Sequence, residues 1–342
     1  MSSHQAPSTI MDDLPSPDDL SRFDGFTILT TSYKTVAGHA IATDVLVPKS
    51  LTASASPAPA KPSPIILRYH GGGFITASTL YPGFFQPWYL ELAARHSAVI
   101  VTPNYRLAPE ASMDDILEDI EDHWAWMRRE LPAFVREATG GRVGVDLGRV
   151  LTAGDSAGGY LGIMVGLTHA DEVRAVTAAY PCVDMADDHF AKGGTAKPPF
   201  GMDTPRGVLD EHYEKMRGGE VPAAVVSEDA GLARGALMLA AIQHGGFARL
   251  FPLAKRHLFP LERLRDGARF PRGGVFVWHG QQDSVVPVEG ALRLEKVVRE
   301  IDPELDFRLT LRDGEHGFDQ RAKLDDAWLQ GGLRGPVRAW LA

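Results

Sequence analysis

The sequence predicts one α/β domain with a mostly parallel central sheet that helices cover on both faces. Short runs that are apolar almost throughout alternate with segments of helical periodicity. Such runs are typical of parallel strands that are buried on both faces, and an amphipathic pattern such as that of 116–131 is typical of the helices between them. The predicted strands are 64–70, 97–105, 150–153, 175–183, 273–279 and 306–311, and the predicted helices are 81–95, 116–131, 160–167, 290–301 and 323–341.

The first part of the chain has a different pattern. Residues 26–36 and 39–48 alternate between polar and apolar side chains, which predicts an antiparallel hairpin that opens the sheet. Residues 1–25 are expected to form a loosely held arm with a helical piece near 17–23. The proline-rich segment 50–63 is of low complexity and predicts a surface loop, since a strand resumes directly after it.

The alternation of strands and helices breaks between residues 185 and 270, where the pattern is mixed and mostly helical. We interpret this stretch as a cap inserted between two strands, because the sheet needs both flanks. The core would then comprise 26–184 and 271–342 of a single domain spanning 1–342. A cap above the carboxyl edge of a sheet is a place where ligand pockets form.

Composition excludes several kinds of partner. The 342 residues carry a net charge of −9, which argues against nucleic acid or an anionic membrane surface as a partner. The single cysteine, Cys182, cannot form an intrachain disulfide and is expected to be a small buried side chain. Met1–Gly25 is polar and does not resemble a signal peptide, and no apolar run approaches the length of a membrane span, so a cytoplasmic protein is expected. The oligomeric state, a homodimer included, is left open.

Gly154-Asp155-Ser156-Ala157-Gly158 lies between a predicted strand and a predicted helix. A Gly-x-Ser-x-Gly in this position is typical of a nucleophile elbow, where the turn is so tight that a Cβ at either glycine would clash. The turn would present the Ser156 hydroxyl above the sheet, near the positive N-terminus of the helix. By itself the pentapeptide also fits a serine in an ordinary glycine-rich turn, so its partners must decide.

A nucleophilic serine needs a general base and an acid that orients the base. Asp283 follows the late strand 273–279, and His316 is the only one of the twelve histidines that lies C-terminal to it. His316 lies in a glycine-flanked loop after the last predicted strand. In the chain order serine, acid, histidine, these positions predict a triad of Ser156, Asp283 and His316 at one edge of the sheet.

Backbone amides near the serine are expected to bind the oxyanion that forms during acyl transfer. We assign this role to Gly71 and Gly72, in the run His70-Gly-Gly-Gly-Phe74, and to Ala157. His70 comes too early in this chain order to be the base and is expected to hold the glycine loop. A phosphate-binding loop is the competing interpretation, but no Lys-Ser/Thr follows and the pattern is not Gly-x-Gly-x-x-Gly.

Three motifs together resemble the hormone-sensitive-lipase family (family IV esterases) of α/β-hydrolases: His70-Gly-Gly-Gly-Phe74, Tyr105-Arg-Leu-Ala-Pro-Glu110 and Gly154-Asp-Ser-Ala-Gly-Gly159. The resemblance extends from about residue 64 to the C-terminus. It implies an α/β-hydrolase fold whose cap combines the N-terminal arm with the insertion, and hydrolysis of carboxylic esters without a cofactor or metal. It also implies the triad and glycine donors named above, with Arg106 and Glu110 fixing the turn that carries them.

The sequence departs from that family at two places. The acid lies in Asp283-Ser-Val-Val-Pro287 where many relatives have Asp-Pro-Leu, and Ser112-Met113 replaces the usual Phe-Pro. The cap sequence cannot be aligned with that of the relatives, so the substrate preference stays open.

We expect a small-molecule ester with a small to medium apolar acyl group as substrate. Aromatic candidates for an apolar pocket are Phe74, Trp88, Tyr160, Phe200 and Phe318, each of which also fits ordinary core packing. Cleavage of a thioester or lactone, or release or cyclisation of a biosynthetic intermediate, stays open because the same oxyanion forms in each reaction. A ligand-binding relative without catalysis is less favoured, since the sequence supplies every member of the triad.

Overall fold

The computed structural model describes residues 14–53, 61–194, 198–219 and 225–342. In these residues eight strands form one sheet in the order β1-β2-β4-β3-β5-β6-β7-β8. The pairs β1–β2 and β2–β4 are antiparallel and all other neighbouring pairs are parallel. The strands are β1 (Phe26–Val36), β2 (His39–Pro48), β3 (Ser63–Tyr69), β4 (Val99–Pro103), β5 (Val145–Asp155), β6 (Ala175–Ala179), β7 (Val275–Gly280) and β8 (Phe307–Arg312).

Helices lie between the strands, as the alternation of patterns predicts. Their bounds are α1 (Lys49–Thr52), α2 (Pro87–Arg95), α3 (Met113–Arg129), α4 (Leu131–Ala138), α5 (Ala157–Thr168), α6 (Asp188–Ala191), α7 (Arg206–Gly218), α8 (Gly235–Gln243), α9 (Phe247–Leu250), α10 (Pro260–Arg265), α11 (Val288–Ile301) and α12 (Ala327–Leu341).

The hairpin β1–β2 has the predicted register, with Phe26 opposite Pro48 and Val36 opposite His39. Ala37 and Gly38 both have positive φ and make the two-residue turn. Every residue of β3 and β4 is buried, which explains why these strands are apolar throughout. The sheet is therefore mostly parallel and covered on both faces, as predicted.

Helix α3 begins three residues before its predicted start. The Ser112 side chain accepts a hydrogen bond from the Asp115 N–H, and the Asp115 side chain accepts one from the Ser112 N–H. This capping box satisfies two of the free N–H groups at the helix end. The helix then buries Ile116, Ile120 and Met127 against the sheet.

The insertion 185–270 has two parts that pack differently. Helices α6 to α9 pack mainly on one another. In contrast, α10 packs against α5 and α11, and Leu258, just before it, is fully buried and accepts a hydrogen bond from the Tyr160 hydroxyl (2.7 Å). The last part of the insertion thus packs on the core, and we use "cap" below for α6 to α9.

The N-terminal arm is described from residue 14 onward. Residues Leu20–Phe23 form a 3₁₀ turn, close to the predicted helical piece. Phe23 packs edge-to-face on Phe85 at 5.0 Å, and Arg22 donates a hydrogen bond to the Phe85 carbonyl. This part of the arm therefore packs beside the start of α2. In the described ranges, no helix is both long and apolar enough to span a membrane.

Candidate active site

Ser156 lies at a sharp turn between β5 and α5. Its backbone has φ 56° and ψ −119°, a conformation that is strained for any residue with a side chain. Its N–H donates to the Ala179 carbonyl at 2.9 Å, which fixes the turn against the neighbouring strand. A Cβ at Gly154 would overlap the Gly158 carbonyl, and one at Gly158 would overlap the Tyr69 carbonyl. The two glycines are thus required by close backbone packing, as the motif predicts.

The predicted acid and base lie in contact at the same edge of the sheet. His316 Nδ1 lies 2.8 Å from Asp283 Oδ2. The contact forms because the parallel strands β5, β7 and β8 end at one edge, and the loops after them carry Ser156, Asp283 and His316. Both Ser156 and His316 line one cavity.

The Asp283 carboxylate is buried but well supplied with donors. Oδ1 accepts hydrogen bonds from the N–H groups of Val285 (2.9 Å) and Val286 (2.7 Å). Oδ2 lies 3.1 Å from His279 Nε2, in addition to its contact with His316. Burial by itself would raise the pKa of Asp283, but His316, together with His279, holds this pKa below its ordinary value. Asp283 is therefore an anion at neutral pH.

His316 is held in place from two sides. Glu315 Oε1 accepts hydrogen bonds from the N–H groups of His316 (2.8 Å) and Ser284 (2.6 Å). These bonds join the loop that carries His316 to the loop that carries Asp283. The Tyr180 ring packs against the imidazole at 4.4 Å. Burial opposes the charged form, but the Asp283 carboxylate outweighs it and raises the pKa of His316 above its ordinary value. The pair thus favours an imidazolium opposite the carboxylate.

The glycine loop approaches the serine from the end of β3. Gly72 and Gly73 have φ of 101° and 60° and line the same cavity as Ser156. Gly71 lies beside that lining, where a Cβ would be 2.8 Å from Asp155 Oδ2 and 3.5 Å from Ser156 Cβ. Gly72 and Gly73 therefore line the cavity, whereas Gly71, which was predicted as a donor together with Gly72, lies beside the lining. The run of three glycines includes Gly73, but the sequence does not say which two of the three line the cavity.

His70 is buried and stacks on Tyr105 at 4.4 Å with nearly parallel rings. Its Nδ1 lies 2.8 Å from the Gly71 carbonyl, and the Tyr105 hydroxyl donates to the His70 carbonyl at 2.8 Å. Burial lowers the pKa of His70 to about 3, so the imidazole is neutral. These contacts fit a residue that holds the glycine loop.

Of the five aromatic residues predicted for the pocket, only Phe200 lines the cavity. Phe74 and Tyr160 are fully buried and pack edge-to-face on each other at 5.4 Å, behind the lining. Trp88 lies in the core against Trp278, and Phe318 packs between Tyr180 and Trp328. The prediction is corrected at these four positions, since long apolar side chains serve core and pocket equally and the sequence does not distinguish the two. The lining comprises Gly72, Gly73, Phe84, Gln86, Asp155, Ser156, Tyr180, Cys182, Phe190, Phe200, Met238, Ile242, Phe247, Val285, Val286, His316, Gly317 and Gln320.

Two side chains next to Ser156 have partners that the sequence did not reveal. The Asp155 carboxylate accepts a hydrogen bond from the fully buried Arg68 guanidinium at 2.8 Å. Burial raises the pKa of Asp155 to about 6, although Arg68 opposes the rise. Cys182 also contacts the nucleophile, since its Sγ lies 3.8 Å from Ser156 Oγ. Burial raises the pKa of the Cys182 thiol to about 12. Cys182 is thus a neutral, buried thiol, as expected, but it belongs to the cavity wall.

A serine on a strained elbow, a histidine paired with a buried carboxylate and glycine amides at one cavity together make an arrangement for nucleophilic acyl transfer. The ranges that the structure describes contain no group of three or more His, Cys, Asp or Glu side chains placed to hold a metal ion. The fold and site define an α/β hydrolase of the serine ester hydrolase class.

Comparison with known proteins supports the assignment to this class. A family described as alpha/beta hydrolase fold matches residues 66–221. The chain is 28% identical to a probable carboxylesterase, M8, of Phoma sp. over 91% of its own length and 96% of that protein. It is also 28% identical to the non-reducing polyketide synthase Preu6 of Preussia isomera over 88% of its length, but spans only 14% of that larger protein. A fungal esterase from Rhizomucor miehei has a similar fold, with a TM-score of 0.59 and 19% identity over 99% of this chain and 93% of that one. These similarities support an α/β-hydrolase fold and a serine ester hydrolase that is similar to carboxylesterases.

Proposed function

We propose that Ser156, His316 and Asp283 form the catalytic triad of a carboxylesterase that acts on small to medium apolar acyl esters. The observation that carries the proposal is the 2.8 Å contact between His316 Nδ1 and Asp283 Oδ2, beside the cavity that Ser156 lines. The contact leaves His316 Nε2 for the reaction. An imidazole oriented in this way is suited to take the proton of a serine hydroxyl.

In the first half of the reaction, Ser156 Oγ attacks the acyl carbonyl carbon while His316 takes its proton. Asp283 stabilises the imidazolium that forms. The amides of Gly72, Gly73 and Ala157 bind the carbonyl oxygen as it becomes an anion, and the loss of one such donor typically costs about 3 kcal/mol. His316 then gives its proton to the leaving alcohol, and Ser156 keeps the acyl group.

In the second half, a water molecule gives a proton to His316 and attacks the acyl-enzyme. The collapse of the second oxyanion breaks the bond to Ser156 Oγ, which recovers the proton from His316. The acid is released and the enzyme returns to its starting state. No cofactor is needed for either half.

The lining of the cavity supports an apolar acyl group. Phe190, Met238, Ile242 and Phe247 from the cap form one wall, and each is at most 7% exposed. An apolar wall gains from burying methylene groups, at about 0.8 kcal/mol for each one.

The test is hydrolysis of p-nitrophenyl butyrate by the Ser156→Ala variant. We expect kcat to fall to the background rate while the far-ultraviolet circular dichroism spectrum stays that of the wild type. Ser32→Ala, at an exposed position of β1, serves as the matched control and is expected to keep full activity. Turnover by Ser156→Ala at the wild-type rate would overturn the proposal.

A second candidate is the cleavage of a thioester or lactone, or the release of a biosynthetic intermediate. The similarity to a segment of polyketide synthase Preu6 favours it. A panel that pairs each oxygen ester with the N-acetylcysteamine thioester of the same acid discriminates the two. A higher kcat/KM for every oxygen ester supports the carboxylesterase, and failure on all simple esters supports the second candidate.

A further inference from the structure

The cavity next to Ser156 has two walls of different chemistry. The first wall lies against the glycine loop, where a Cβ on Gly73 would be 2.7 Å from Met238 Cγ and 3.7 Å from the Phe247 ring. Phe190 packs on Phe247 at 5.8 Å, and Ile242 lies one turn after Met238 on α8. This wall is entirely apolar.

The second wall lies against His316. Tyr180 and Phe200 pack on its imidazole at 4.4 and 6.0 Å. Two carboxamides belong to this wall: Gln320, whose Nε2 lies 3.3 Å from where a Cβ on Gly317 would be, and Gln86, which bonds to Tyr180. The second wall is therefore aromatic with polar groups.

The proton transfer from His316 to the leaving alcohol places the alcohol and the acyl group of the ester against different walls. The oxygen of the leaving alcohol must lie at His316, since this residue gives it a proton. The alcohol therefore extends along the wall of His316, and the acyl group takes the apolar wall of Met238 and Phe247. This assignment rests on the proposed function.

The orientation of the Gln86 amide is fixed by its neighbours. The Tyr180 hydroxyl donates to Asp319 Oδ1 at 2.9 Å, so it accepts from Gln86 Nε2 at 2.9 Å. Gln86 is 1% exposed, and its Oε1 has no hydrogen-bond partner among the described residues. A buried acceptor without a partner is costly, and a donor on a ligand would remove that cost.

The charge of the lining narrows the class of alcohol. The described lining contains no lysine or arginine, and its carboxylate Asp155 is already bonded to Arg68. A leaving group with a carboxylate or phosphate would thus find no lysine or arginine there, and the one imidazole, that of His316, is already paired with Asp283. A neutral group with a hydroxyl can hydrogen-bond to either carboxamide, and an aromatic ring matches Tyr180 and Phe200.

We propose that the preferred substrates are esters whose leaving alcohol is an aromatic ring with a further hydroxyl group, recognised by Gln86 and Gln320. The probe is a matched pair, 3-hydroxybenzyl butyrate and benzyl butyrate, which share the acyl group and have nearly equal leaving groups. The wild type is expected to favour the hydroxylated ester by about three- to tenfold in kcat/KM, the usual effect of one or two neutral hydrogen bonds.

Two variants and two controls locate the effect. Gln320→Leu and Gln86→Leu should each reduce the preference, and Gln320→Leu leaves the bond between Tyr180 and Asp319 untouched. Gln330→Leu, at an exposed position of α12, should keep the wild-type ratio. Met238→Ala should change the preferred acyl length without changing the ratio for the matched pair.

Each outcome separates this inference from the proposed function. Equal kcat/KM for the two esters in the wild type, with both hydrolysed, would overturn the inference and leave the esterase assignment intact. A wild-type preference that survives in both glutamine variants would overturn the assignment to these side chains. Hydrolysis of neither ester, or full activity of Ser156→Ala on both, would count against the proposed function itself.

Discussion

Arg234 Nη1 donates a hydrogen bond of 3.0 Å to Glu110 Oε1, which joins the start of α8 to the turn after β4. The same guanidinium donates to the carbonyls of Ile75 and Ala108, each at 2.7 Å. The resemblance implies that Glu110 fixes its own turn, but here it also anchors the cap, and His212 of α7 is a second partner at 3.1 Å. One arginine thus holds the helix with the acyl wall against the glycine loop.

The replacement Arg234→Met is expected to destabilise the protein by about 2–3 kcal/mol. Removing one partner of a buried pair typically costs about 3–5 kcal/mol, and some exposure of Arg234 reduces this. Urea unfolding followed by fluorescence measures the change. Glu110→Gln keeps an oxygen acceptor and should therefore lose less stability than Arg234→Met. An unchanged urea midpoint in Arg234→Met would contradict the role of the pair.

Gly73→Ala is expected to reduce kcat/KM for butyrate esters more than for acetate esters. The new Cβ would be 2.7 Å from Met238 Cγ, so Met238 would have to shift, and the acyl wall would change its shape. The positive φ of 60° at position 73 adds about 1 kcal/mol of backbone strain once the residue carries a Cβ. The double variant Gly73→Ala with Met238→Ala should recover part of the butyrate activity, whereas an additive loss in the double variant would show that the two side chains do not compete.

The pH profile of kcat/KM should have its acid limb above pH 6.5. Only neutral His316 can act as the base, and Asp283 raises the pKa of this histidine, so activity falls as the pH drops through that raised value. Asp283→Asn removes the carboxylate, which should move the acid limb to lower pH and reduce kcat by about 10⁴-fold. A limb at the same pH in wild type and variant would argue against Asp283 as the partner of His316.

Cys182 should react slowly with iodoacetamide in the native protein at pH 8. Burial raises the pKa of this thiol to about 12, so almost no thiolate is present. The chain contains no other cysteine, so one labelled mass reports on this site alone. Labelling in urea should be complete, and equally fast labelling with and without urea would contradict the buried, neutral state.

The strands of the core could be predicted because burial on both faces demands continuous apolar runs, as in β3 and β4. The elbow could be predicted for a similarly local reason, since only glycine fits at positions 154 and 158. Boundaries were less certain: α3 begins at Met113 because of the Ser112 capping box, an interaction that a purely apolar period does not reveal. Hydrophobic periodicity also could not predict that Leu258 packs on Tyr160, because the two residues are far apart in the sequence.

The sequence by itself determined the fold class, the elbow at Ser156 and the pairing of Asp283 with His316, because these depend on local sterics and on the order of groups along the chain. The tertiary structure decided which residues line the cavity, where Phe200 belongs but Phe74, Trp88, Tyr160 and Phe318 do not. It also decided that Gly73 faces the site and that Arg234 reaches Glu110. The physical reason is that an aromatic ring is equally suited to a core and to a site, and that a charged side chain can pair with any oppositely charged group that folding brings near it. Only the packing of distant segments decides between these possibilities.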